Sequence, residues 1–112
     1  MDNKELEKAA PVITVEIIEY VANSVVQKTI LKKTTGSVSV LSVDSGEGLS
    51  EKTTPFDTYI QLIEGSAEIV IDKVSKHLST GQSIVVPAHA ANYIKANGRF
   101  KMIQTIIKSG YE

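Results

Sequence analysis

The chain has 112 residues, enough for one domain and too few for two, and a domain of this size buries roughly two-thirds of the surface its unfolded chain exposes. Hydrophobic residues make up 42% and charged residues 22%, which excludes a disordered polar chain; the net charge of −1 excludes a basic footprint for nucleic acid or an anionic membrane. Cysteine is absent, and with it disulfides, thiol nucleophiles and thiolate metal sites.

Residues 2–8 (DNKELEK) are polar and carry both charge signs, unlike the basic start and apolar run of a secretory signal. No apolar stretch approaches the roughly 18 residues that cross a bilayer, so the expectation is a soluble cytoplasmic protein. Asp2–Ala10 contains good helix formers and stops at Pro11, which predicts a short helical or frayed arm.

From Val12 onward short runs of Val, Ile, Thr and Tyr alternate with turn residues. The predicted strands are Val12–Ile18, Val25–Lys33, Ser37–Asp44, Thr58–Ile63, Ala67–Asp72, Val74–Leu78, Ser83–Val86, Asn92–Ala96 and Phe100–Lys108. Turns are expected at Thr34-Thr35-Gly36, Glu64-Gly65-Ser66, Asp72-Lys73, Ser79-Thr80-Gly81 and Asn97-Gly98. Asn97-Gly98 is the strongest of these signals, since both residues tolerate the positive φ of a type I′ hairpin, whereas lysine disfavours that geometry at Asp72-Lys73. Ser37–Val40 alternates as a strand with one wet face does. Ile84-Val85-Val86 and Ile103–Ile107 are apolar on both faces, so they must pack against the interior and also against a second sheet or a second subunit. About nine short strands without a central helix define an all-β class and a closed or sandwiched barrel.

Two spaced motifs run through residues 44–108. The first begins at Gly46 and ends at Gly65, with Lys52, Thr54 and Thr58 at its ligand positions. The second begins at Gly81, carries Pro87, and has His89, Asn92 and Ala96 at its remaining positions. In this spacing, and in Pro55-Phe56-Asp57, Leu62–Gly65, Ser83–Ala88 and Phe100–Met102, the chain resembles the small single-domain cupins. The resemblance implies a double-stranded β-helix, or jelly-roll barrel, filling the chain as one domain with its motif region over residues 44–108. It also implies a metal site at Lys52, Thr54, Thr58 and Asn92, positions that hold two His, a Glu and a third His in the family. Here the glycines and the proline that shape turns are kept, while the ligands are replaced by a cation, two hydroxyls and an amide that bind transition metals poorly. No metal and no other cofactor is expected.

Lys52, Thr54, Thr58, Gln61 and Asn92 are the candidate lining of a ligand pocket, with His89 on its rim. Lys52 reads either as a charge at the barrel mouth or as an anchor for an anionic ligand; buried, it becomes a candidate general base or Schiff-base amine. Gln61 interrupts an apolar run and faces either the cavity or a subunit interface. The expectation is therefore a metal-free barrel, homodimeric by the habit of small cupins, that binds a small polar or anionic molecule. The alternatives are an isomerase- or dioxygenase-like enzyme with an unusual ligand set, and a barrel filled by Ile60, Leu62, Ile69 and Ile71.

Overall fold

The computed structural model describes residues 5–108. Eight strands form: β1 (Val25–Lys33), β2 (Gly36–Val43), β3 (Gly48–Lys52), β4 (Thr58–Ile71), β5 (Val74–Ser79), β6 (Ser83–Val86), β7 (Asn92–Lys95) and β8 (Phe100–Ile107). All pairings are antiparallel. One sheet runs β1-β2-β8-β4-β6 and the other β3-β7-β4-β5, and β4 belongs to both. The result is a curled, all-β jelly-roll barrel.

β4 changes sheets at Gly65. Its first half pairs with β6 and β8, its second with β5 and β7. A bulge between Leu62 and Glu64 and a φ of +86° at Gly65 redirect the chain there. The stretch Glu64-Gly65-Ser66, expected as a turn between two strands, is thus a bend inside one continuous strand. The backbone at Arg99–Phe100 packs so close that a Cβ on Gly65 would sit 2.3 Å from the Arg99 carbonyl oxygen.

Inward side chains from both sheets fill the middle of the barrel. Ile60 and Leu62 from β4, Ile69 beyond the bend, and Phe100 and Met102 from β8 have at most 1% of their surface exposed. Burying each contributes about 1.5–3 kcal/mol. Ile71 packs against this cluster.

Other differences from the sequence reading have local causes. Val12–Ile18 is not a strand but a segment containing a 3-10 turn, Thr14–Glu16. Its β-branched run has no neighbouring strand; instead the carbonyls of Val15, Ile17 and Glu19 accept bonds from Lys101, Lys28 and Ser42 side chains. Within the predicted helical arm, residues 5–10 are extended chain and a turn, with Leu6 N–H donating to the Ile30 carbonyl of β1; residues 2–4 lie outside the described residues. β3 carries one apolar residue, Leu49, and so gave no strand signal. The two-residue hairpin with positive φ is Asp72-Lys73 (47° and 71°), whereas Asn97-Gly98 joins β7 to β8 without a hairpin and without positive φ.

Two substitutions test this backbone account by urea denaturation. Gly65→Ala places a methyl group against backbone in a left-handed conformation and is expected to cost about 3 kcal/mol. Lys73→Gly relieves the strained hairpin position and is expected to add about 1 kcal/mol.

Candidate functional site

The mouth of the barrel gathers the polar inward residues. Lys52, the last residue of β3, pairs with Asn92, the first of β7. Across the opening, β8 presents Gln104, whose register partners are Ser39 on β2 and Ile60 on β4. The Lys52 ammonium donates to Gln104 Oε1 at 3.4 Å and so bridges the two sheets. Asn92 is buried and donates to the carbonyls of Lys52 and Ala90 at 3.3 and 3.2 Å, which fixes the end of β3 against β7. Thr58 is buried one row along the same inner face, beside Val86 and Ile106.

The electrostatics centre on Lys52. The residue as a whole is exposed, yet the protein packed around its ammonium lowers its pKa below the ordinary 10.5 through loss of solvation. Among the described residues its one polar partner is the neutral Gln104 amide.

Of the five expected lining residues, Lys52 and Asn92 are register partners on β3 and β7, and Thr58 is buried on the inner face of β4. Thr54 and Gln61 are placed elsewhere. Thr54 lies in the loop after β3, where its hydroxyl donates to the Phe56 carbonyl at 3.0 Å and accepts from the Phe56 N–H. Gln61 sits between inward Ile60 and Leu62, so it points to the outer face, paired with Ile103 and Ser83. The buried amide of the mouth is Gln104, not Gln61. Its signal was present as the one amide in the apolar run Met102–Ile107, but only the strand's facing distinguishes the two.

His89 is exposed, has a φ of +71°, and uses its backbone N–H to reach the Thr54 carbonyl at 2.7 Å. It occupies a motif position that is glycine in the family, and the positive φ is the geometry that glycine serves. The imidazole is thus on a turn required by the backbone. His77 is exposed on β5, paired with Glu68 of β4 in the same sheet.

The four positions at which the fold family places metal ligands hold Lys52, Thr54, Thr58 and Asn92. An ammonium repels a cation, Thr54 is engaged with backbone, and both Asn92 amide hydrogens point at carbonyls. Among the described residues no three His, Asp or Glu side chains converge as metal ligands. This residue set does not fit a transition-metal centre.

The two curled sheets sharing β4, closed over an apolar centre with Lys52, Asn92 and Gln104 at one end, define a cupin-type double-stranded β-helix. Among solved structures the chain is similar to a cupin superfamily protein from Desulfitobacterium hafniense, at 29% identity over 96% of this chain and 98% of that one, with a TM-score of 0.87. It is also similar to a conserved protein of unknown function from Streptococcus pyogenes (24% identity, 94% and 92% covered, TM-score 0.88). A protein with a double-stranded β-helix domain from Klebsiella pneumoniae shares the fold at 14% identity and a TM-score of 0.79. No family model and no curated protein matches the chain. The chain has the fold of the cupin superfamily proteins it is similar to, as a small barrel whose metal motifs are degenerate.

Two measurements follow. Protein purified without a metal-affinity tag is expected to carry far less than one metal per chain by elemental analysis; retention near one per chain overturns the reading of the donor set. The second concerns pH. The unfolded chain holds the Lys52 proton more tightly than the folded one, so the cost of the buried charge is complete below the depressed pKa and fades as pH rises toward 10.5. Lys52→Met is expected to be more stable than the parent at neutral pH, with that advantage shrinking as pH approaches 10.5, read by urea midpoints.

Proposed function

We propose that this protein is a metal-free cupin that binds a small anionic molecule at the barrel mouth, with Lys52 as the anchor. The observation carrying this reading is a partly desolvated ammonium held at the opening with a neutral amide as its partner. An anion placed there recovers the Coulomb energy that burial withdrew, and a small carboxylate or phosphate suits a compact ammonium. Gln104 and Asn92 sit beside the anchor, and their amides orient such a ligand, while Thr58 offers a hydroxyl from the adjacent row. The centre below is filled by Ile60, Leu62 and Phe100, so the ligand is shallow and small. Ligand and lysine are coupled through protonation, because only the charged amine attracts an anion.

Inorganic phosphate, oxalate and succinate are the probes. At least one is expected to raise the melting temperature at millimolar concentration, and Lys52→Met to abolish that rise while the fold is kept. The effect should weaken at a pH below that expected for an ordinary lysine. No shift with any of the three, or a shift that survives in Lys52→Met, sinks the proposal.

A further inference from the structure

Two lysines of this chain have their ammonium groups drawn back among protein atoms, and the fold partners them differently. The Lys101 side chain is 10% exposed and is given oxygens that suit a cation: it donates to the Val15 carbonyl and lies 3.9 Å from a Glu64 carboxylate oxygen. Lys52 is given an amide. Its ammonium reaches from the end of β3 to Gln104 Oε1 at 3.4 Å, and no ion pair among the described residues includes it. A charge held in this way is costly, and the amine lowers the cost by releasing its proton more readily than an ordinary lysine.

The strand register shows where that amine stands. Lys52 pairs with Asn92 and Asn92 with Ile71, which packs on the apolar centre, so this row of the β3-β7-β4-β5 sheet faces inward. In the other sheet Gln104 pairs with Ser39 and with the core residue Ile60. The Lys52 side chain spans the gap between these two inward rows. The buried polar residues of the rows, Asn92, Gln104 and Ser39, are uncharged, as is Thr58 farther along β4. The buried charged residues, Asp44 and Lys101, belong to the outer clamp with Arg99 and Val15, and Asp57, just before β4, accepts from the Ala88 N–H at 2.8 Å. Lys52 as a residue is nevertheless exposed, so a small molecule can reach its amine.

An amine that is reachable, short of a counterion and surrounded by neutral hydrogen-bonding groups is a nucleophile toward a carbonyl carbon. We propose that Lys52 captures a short 2-oxo acid as a reversible imine at the barrel mouth, a step that rests on the anion-anchor reading and narrows its ligand class. The unprotonated amine adds to the ketone carbon: the N–C bond forms, the carbonyl π pair moves to oxygen, and a proton passes from nitrogen to that oxygen. The hydroxyl then leaves as water with the second nitrogen proton, and the C=N bond forms. No oxidant or reductant takes part.

The product suits this site better than a simple anion does. Once it takes a proton from solvent, the imine keeps one N–H to donate to Gln104 Oε1. The carboxylate of the captured acid is attached to the imine carbon, so the bound molecule carries its own counterion to the charge. Asn92, Gln104, Thr58 and Ser39 supply no base at neutral pH, so the step ends at the imine: it is capture without turnover.

The full chain is incubated with pyruvate and cyanoborohydride, which reduces the imine to a stable secondary amine, and the modified lysines are located by peptide mass spectrometry. Lys52 is expected to be labelled about threefold or more above any other lysine. Acetone, which has the carbonyl without the carboxylate, should lose that preference. Without reductant, pyruvate should raise the melting temperature more than lactate, which carries a hydroxyl in place of the ketone oxygen. In Lys52→Arg, which keeps the charge and forms no imine, the two should act alike. Label spread evenly over the lysines, or pyruvate and lactate acting equally on the parent, overturns the capture; acetone as selective as pyruvate overturns the ligand class. If phosphate, oxalate or succinate stabilises the parent through Lys52 while pyruvate leaves no preferential label, the anion anchor stands and the imine falls. Preferential label with no effect of those three anions supports the imine and sinks the simple anion anchor.

Discussion

The barrel depends on one close approach: the backbone of β4 at Gly65 against the backbone of Arg99 and Phe100. No side chain fits between them, so the strand can leave one sheet and enter the other without a loop. Because a single strand serves both sheets, the inward residues on either side of the bend point into one space. Ile60 and Leu62 come from one half and Ile69 from the other. The same approach sets Phe100 in the centre and, four residues on, Gln104 at the mouth. Apolar closure and polar opening are thus consequences of one bend.

The outer surface is organised around charge. Asp44 accepts from the Asn23 N–H and from Arg99 at 2.9 Å, and those two bonds, the backbone one first, hold its pKa below the usual carboxylate range. Tyr20 lies with its ring 5.0 Å from both the Arg99 guanidinium and the Lys101 ammonium. Burial and then the Glu64 carboxylate push its hydroxyl pKa well up. These groups clamp the segment before β1 onto the sheet with side chains, where a strand would have used backbone.

The backbone around the motif positions keeps turn geometry although the residues there are not metal ligands. Glycines 46 and 81 keep left-handed φ values, and His89 keeps that conformation without being glycine. The positions that the resemblance gives to metal ligands hold an ammonium, two hydroxyls and an amide. A lysine that bridges to a neutral amide is chemically unlike a metal centre, although the strands delivering it are the same.

The sequence by itself determined the class, most strand positions and the loss of the metal ligands, because period-two patterning, turn residues and motif spacing are local properties of the chain. Val25–Lys33 and Ser83–Val86 were legible to the residue. Only the tertiary structure decided which of two amides in apolar strands is buried, since Gln61 and Gln104 look alike until β4 and β8 are paired and one face of each is turned inward. It also decided that Val12–Ile18, strand-like in composition, would lie across a sheet and not within one, because side chains of Lys28, Ser42 and Lys101 take the carbonyls of Ile17, Glu19 and Val15. The desolvation of Lys52 belongs to the same category: it arises from chain segments far apart in sequence that meet only when the barrel closes.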